Sequence, residues 1–258
     1  MKRSLLNFIK NMEKQSSLLK TMHNLYTLFK NAPCKELTNI KKMRLFLRAK
    51  PYTMVTYRRL FNAYGLAKTV EQNKIEGCFV ECGVWRGGCA AVMAYVAHKA
   101  GNNRKVHLFD SFKGLPEPIE KDGIEAKIYA GNKVGGRLCG IGKCVAHYED
   151  VDYLLFSLLK LKRENVAIHQ GWFQDTIPRI KDEIGPIAIL RLDCDWYEST
   201  AVCLDYLYDN VVRDGFIIID DYNSWDGCKK AVNEFLTNRK DKIEMLTIDQ
   251  YASYFRKP

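Results

Sequence analysis

No run of apolar residues in this 258-residue chain is long enough to span a bilayer, although 47% of its residues are hydrophobic. That pattern excludes an integral membrane protein and a disordered one, and it describes a soluble globular chain able to bury a sizeable core. After Lys2 and Arg3, the apolar stretch from Ser4 to Ile9 is cut by Lys10 with no small-residue cleavage site behind it, so no signal peptide is expected. Internal repeats are lacking, and so is the G-x-G-x-x-G turn of dinucleotide folds. Paired cysteine spacing is lacking too. The nine cysteines are odd in number and irregularly placed, which argues for free thiols in a reducing compartment, the cytoplasm, rather than a disulfide framework. Cys139, Cys144 and His147 come nearest to a zinc pattern but want a fourth ligand.

Acidic residues are nearly missing from the amino end. Residues 1–50 hold twelve Lys or Arg against Glu13 and Glu36 alone, and the remainder balances 28 basic with 28 acidic side chains. Leu5, Leu6, Phe8 and Ile9, then Leu18, Leu19, Met22, Leu25, Tyr26, Leu28 and Phe29, recur at helical spacing. We read residues 1–50 as a basic helical appendage packed on a main domain of residues 51–258 or on a second subunit. Its solvated charge is not expected to bind nucleic acid, and a peripheral contact with anionic lipid is the alternative.

Along the main body, apolar runs at Cys78–Cys82, Val106–Phe109, Val166–His169, Ile187–Leu192 and Phe216–Ile219 read as strands. Helical patterns at Gly88–Ala100, Val151–Lys162, Phe173–Ile184 and Thr200–Arg213 separate them, and a helix at Cys228–Thr237 and a strand pair at Ile243–Ile248 and Tyr251–Phe255 follow. The alternation predicts an α/β fold with a doubly wound, mostly parallel sheet covered on both faces. Residues 116–142, rich in Gly, Lys and Glu, read as a long mobile loop, a lid.

The chemistry concentrates at strand ends. Ile187–Leu192 runs into Asp193-Cys194-Asp195, and Phe216–Ile219 runs into Asp220-Asp221. If these are neighbouring parallel strands, their acids converge on the crevice of an open sheet, and a hard divalent cation, Mg2+, is the usual compensation for such crowding. The alternative is turn and capping chemistry for Asp220 and Asp221, with Asp193 paired to Arg191. The first strand leads through Glu81 into the glycine-bearing turn 83–88. A carboxylate there would repel a phosphate but suits the ammonium group of S-adenosylmethionine. Asp110, closing the second strand, can accept ribose hydroxyl protons.

Five motifs, in order, carry a resemblance. Glu81-Cys82-Gly83-Val84-Trp85-Arg86-Gly87-Gly88, Asp110 to Pro116, Gly171 to Pro178, Arg191 to Thr200 and Asp220-Asp221-Tyr222 resemble the successive motifs of the macrocin (TylF-type) O-methyltransferases. The likeness runs from about Tyr52 to Phe235. It implies a class I methyltransferase, Rossmann-like, that uses S-adenosylmethionine and Mg2+ to methylate a sugar hydroxyl in a glycan or glycosylated natural product. Carried over by position, Glu81, Gly83, Val84, Trp85 and Gly87 would contact the methionine side of the donor, Asp110 and Ser111 the ribose, and Gly171 and Trp172 the adenine neighbourhood. Asp193, Asp220 and Asp221 would hold the metal and Asp195 would accept the proton, with Asp193 the alternative for that catalytic role. The resemblance also implies a homodimer or higher homo-oligomer. Two other classes compete: an NAD-type oxidoreductase on the same sheet, and a non-catalytic protein that binds through its basic amino end.

Overall fold

The computed structural model describes residues 19, 22–28, 39–239 and 243–258. The helical periodicity read for residues 1–18 lies outside the described residues. Residues 22–28 are helical, and Leu28 is buried in the main core while Tyr57 Oη donates to the Asn24 carbonyl at 3.0 Å. Two helices follow, α1 (Ile40–Ala49) and α2 (Tyr57–Gln72). Leu45, Phe46 and Ala49 of α1 are buried in the same core as Leu60 and Ala63 of α2, so this half of the basic segment shares the core of the main body.

The body alternates strand and helix: β1 (Cys78–Cys82), α3 (Gly88–Ala100), β2 (Val106–Asp110), α4 (Gly123–Tyr129), α5 (Tyr148–Asp152), β3 (Val166–Gln170), α6 (Phe173–Ile184), β4 (Ile187–Leu192), α7 (Tyr197–Leu207), β5 (Val211–Ile219), α8 (Asp226–Arg239), β6 (Leu246–Thr247) and β7 (Ser253–Arg256). One seven-stranded sheet runs in the order β3-β2-β1-β4-β5-β7-β6. β1 to β5 are parallel, and β7 enters antiparallel to both β5 and β6. Every residue of β1 and of β4 is buried, as strands sandwiched between two helical layers must be. One layer, with α1, α2, α3 and α5, packs on one face; α6, α7 and α8 pack on the other. Among the described residues no helix is long and apolar enough to cross a membrane.

After β3 the chain crosses back to lay β4 on the free edge of β1. That reversal opens a crevice at the carboxyl ends of β1 and β4, the place where open parallel sheets bind ligands. The register Leu192↔Ile219 sets the two aspartate pairs side by side, so the sequence expectation of adjacent acidic strand ends is met.

The segment 116–142 departs from the structureless loop expected. It carries a single 3-10 turn at Glu120–Asp122 and then α4. Asp122 is 2% exposed and accepts from the backbone N–H of Tyr197 at 2.5 Å and of Ile119 at 2.8 Å. Trp196 Nε1 donates to the Pro116 carbonyl at 3.0 Å, and Leu115 and Ala126 pack with Trp196 in a small apolar cluster. Buried tie points of this kind leave no local periodicity, which is why the sequence reads the segment as loop.

Candidate active site

A cavity of about 280 Å³ occupies the crevice at the strand ends. Glu81, Gly83, Val84, Trp85, Asp110, Ser111, Gly171, Trp172, Asp193, Asp195, Asp220 and Asp221 all line it, so every site residue named from the sequence except Gly87 meets around one space. Gly87 lies just behind, as the left-handed residue (φ +87°) that starts α3.

The turn after β1 is shaped by close approach. Gly83 has φ +85°, and a Cβ there would stand 1.8 Å from the Asp193 carbonyl oxygen, inside any contact distance. Glycine is therefore required twice, by conformation and by the backbone of β4 beside it. Asp110 closes the turn from β2: the N–H groups of Val84 and Trp85 donate to its Oδ2 at 2.8 and 2.7 Å, and that of Phe112 to its Oδ1 at 2.7 Å. Its carboxylate thus organises the turn, with about one acceptor site left over. Ser111 Oγ accepts from the Lys113 N–H and donates to the Gly114 carbonyl, holding the next bend. Arg86 does not face the cavity. It forms a bidentate pair with Asp150, at 2.9 and 3.1 Å, that fastens the turn to α5.

Beneath the strand ends lies Arg191, whose side chain is 1% exposed. Its Nη1 donates to Glu81 Oε1 at 2.7 Å and to Asp193 Oδ2 at 2.9 Å, and its Nη2 stands 2.6 Å from Asp220 Oδ1 as a charge contact out of line for a hydrogen bond. The Arg191–Asp193 pair considered from sequence is present, but as part of a larger network. A buried guanidinium demands such counter-charges. Glu81 Oε2 is buried without a partner, and burial pushes the Glu81 carboxyl up to about 8. An unsatisfied acidic oxygen on a residue that lines a cavity suits a cationic group.

Asp220, expected beside Asp193 and Asp221 as a metal ligand, lines the cavity at 2% exposed, and Arg59 and Arg191 each contact one of its oxygens. One carboxylate oxygen from each of Asp193, Asp195 and Asp221 lies within 4.8 Å of the others, an arrangement able to hold a metal ion. Arg59 on α2 reaches across to Asp220 after β5, and nothing in the local sequence marks the two as partners.

Burial raises all three carboxyls of this group, and like charge adds to it: Asp195 to about 7, Asp221 well above the ordinary range, and Asp193 upward against the opposing pull of Arg191. Asp193 is 28% exposed, so water in the cavity tempers its shift. Three oxygens that resist losing their protons together form a donor set suited to a hard divalent cation. Asp195 sits at φ +56°, and Trp225 Nε1 donates to its Oδ1 at 2.8 Å, fixing the carboxylate and opposing the rise. Such a backbone costs about 1–3 kcal/mol and persists where the surroundings over-determine it.

Of the four tryptophans, Trp85 and Trp172 border the cavity, Trp225 serves Asp195, and Trp196 is core at 1% exposed. His169 stacks on Phe109 and lies 3.1 Å from His107 through ring nitrogens, a structural pairing. The described cysteines are free thiols, and Cys139, Cys144 and His147 form no ligand cluster among the described residues. The sequence reading missed Arg59, Thr56 and Tyr251, which complete the wall opposite the strand ends. Only their convergence in space gives them away.

A family model described as Macrocin-O-methyltransferase (TylF) matches residues 7–257. The chain is 35% identical over 211 residues to the demethyldecarbamoylnovobiocin O-methyltransferase of Streptomyces niveus, covering 81% of this chain and 77% of that protein. It is 34% identical over 186 residues to the 8-demethyl-8-(2,3-dimethoxy-alpha-L-rhamnosyl)-tetracenomycin-C 4'-O-methyltransferase of Streptomyces olivaceus, covering 71% and 67%. Among solved structures, the O-methyltransferase NovP matches with a TM-score of 0.67 at 33% identity, over 80% of this chain and 82% of that one.

Proposed function

The chain belongs to the macrocin-O-methyltransferase (TylF) family, and from that premise we propose that it uses S-adenosylmethionine and a divalent cation, Mg2+, to methylate a sugar hydroxyl of a glycosylated natural product or glycan. It is an O-methyltransferase of the class I fold. The observation that carries the finer reading is the carboxylate group Asp193, Asp195 and Asp221, facing the partnerless Glu81 oxygen across one cavity. Two cationic ligands are what such a cavity asks for. The sugar acceptor is taken from a relative, the Streptomyces olivaceus enzyme, whose name places its methyl on a rhamnosyl-tetracenomycin. A homodimer or higher homo-oligomer built through residues 1–50 remains part of the same reading.

When bound, S-adenosylmethionine supplies the electrophilic methyl and Mg2+ makes the acceptor hydroxyl more acidic. Glu81 would receive the donor's ammonium, and Trp85, Asp110, Ser111, Gly171 and Trp172 would wall the space for its ribose and adenine. Asp193, Asp195 and Asp221 would hold the cation. Asp195, steadied by Trp225, would take the proton of the acceptor hydroxyl. Asp220 anchors Arg59 and Arg191. Leu115 and Pro116, backed by Ala126 of α4, border the cavity and help exclude water from a reaction in which opposite charges vanish together.

The reading is tested with EDTA and heat. Methyl transfer should stop on chelation and return with Mg2+. Each raised carboxyl binds its proton more tightly folded than unfolded, so without cation stability falls as pH rises from about 4 through about 7. Mg2+ at a hundredfold excess over its Kd should therefore raise Tm by about 5 °C or more at pH 8, and by less than half of that at pH 5.5. Transfer that continues unchanged in EDTA would sink the cation.

Trp225→Phe removes the N–H that favours ionised Asp195. Its carboxyl then rises further, so the acidic limb of the pH–rate profile should move to higher pH and kcat at pH 7 fall about tenfold. A profile that stays in place would separate Trp225 from the proton step.

A further inference from the structure

The charged residues of the cavity are almost all acidic. Glu81, Asp110, Asp193, Asp195, Asp220 and Asp221 line it, and Arg59 is the single Lys or Arg that does so among the described residues. An amino-acid end such as that of S-adenosylmethionine carries a carboxylate as well as an ammonium, and a carboxylate entering this space meets repulsion unless a cation receives it. Backbone N–H groups of the first turn often do that task in glycine-bearing turns. Here those of Val84 and Trp85 are taken by Asp110.

Arg59 is built for the purpose. Thr56 caps α2 by accepting from the Arg59 N–H, and its hydroxyl donates to Asp249 Oδ2 at 2.8 Å. Arg59 Nε donates to that same Asp249 oxygen at 3.0 Å, Nη1 meets Asp220, and the guanidinium lies 5.3 Å over the ring of Tyr251. Asp249 is held in turn by the N–H groups of Tyr251 and Ala252. Two edges of the guanidinium are thus fixed by protein acids. Its Nη2 has no partner among the described residues, on a side chain that borders the cavity. A guanidinium already oriented by packing loses little entropy on binding a further carboxylate.

We propose that Arg59 is a donor-binding residue that receives the carboxylate of S-adenosylmethionine through Nη2, opposite Glu81, which receives the ammonium. This rests on the donor assignment made above. Arg59 and Glu81 then read the two ends of the zwitterion from α2 and β1, linked behind the cavity through Asp220 and Arg191.

Calorimetric titration of the full chain with S-adenosylmethionine and with its decarboxylated analogue, without acceptor, tests the idea. The wild type should prefer the carboxylate form by about 30-fold, the scale of a charge-assisted contact. Arg59→Met should cut that preference to below about 3-fold while leaving affinity for the decarboxylated analogue within about 3-fold of wild type. A purely structural Arg59 would instead weaken both ligands equally, which overturns the proposal. So would a wild type that binds both alike, a result that needs no variant at all. Should Arg59→Met fail to fold, Arg59→Lys should lower the preference to about 5-fold, because an ammonium is a point charge without the fork; an unchanged preference in that variant refutes the role. If the wild type binds neither compound, the donor assignment itself falls, and this inference with it.

Discussion

Asp195→Asn should lower methyl transfer by about a thousandfold or more while S-adenosylmethionine affinity stays within about threefold. A sugar hydroxyl is too weak an acid to surrender its proton near neutral pH unaided, so an acceptor within hydrogen-bond reach is required in addition to a cation. Asp195 projects into the cavity from the bend after β4, beside Asp193 and Asp221, with one oxygen secured by Trp225. Asparagine keeps its size and can still accept from Trp225, but it cannot take a proton. The same change should leave the protein at least as stable, because the wild-type carboxyl is held at about 7 by burial and by its acidic neighbour Asp193. Removing a charge the fold resists is a gain for folding and a loss for chemistry. Initial rates at saturating acceptor, with Tm measured alongside, check both halves. Activity within tenfold of wild type would move the proton acceptor elsewhere.

Gly83→Ala should cost about 4 kcal/mol or more, or prevent soluble folding outright. The added methyl would stand 1.8 Å from the Asp193 carbonyl oxygen and 2.8 Å from its carbon, both backbone atoms of the residue that directly follows the fully buried strand β4. Positive φ adds its own strain. Gly101→Ala separates the two effects, since Gly101 has φ +76° but open space around it. That variant should lose only about 1 kcal/mol. Urea midpoints for the two variants give the comparison; equal losses would mean that conformation, not close approach, sets the cost.

The strands and most helices were legible because each is a local pattern. β1, β4 and the end of β5 are mainly apolar runs, broken in β1 by Glu81 and in β4 by Arg191, and Gly88–Ala100 and Phe173–Ile184 fall where the periodicity puts them. α7 starts earlier than expected, at Tyr197, because Asp122 from the covering segment caps its first N–H. That partner lies far off in sequence. α4 was hidden for a similar reason: its burial depends on Trp196 and Leu115, not on a repeating apolar face.

The residues at the strand ends were legible as well, since acids that terminate apolar parallel strands must meet at one rim. Which of them crowd most closely was not. Asp193, Asp195 and Asp221 each bring an oxygen within 4.8 Å of the others, while Arg191 from within the sheet and Arg59 from α2 contact Asp220. Spacing along the chain fixes periodicity and strand order, and with them the fold class and the location of the crevice. The division of labour among charges depends on which opposite charge arrives from a distant helix, and that is decided only when the layers pack and the low dielectric between them makes each unpaired group costly.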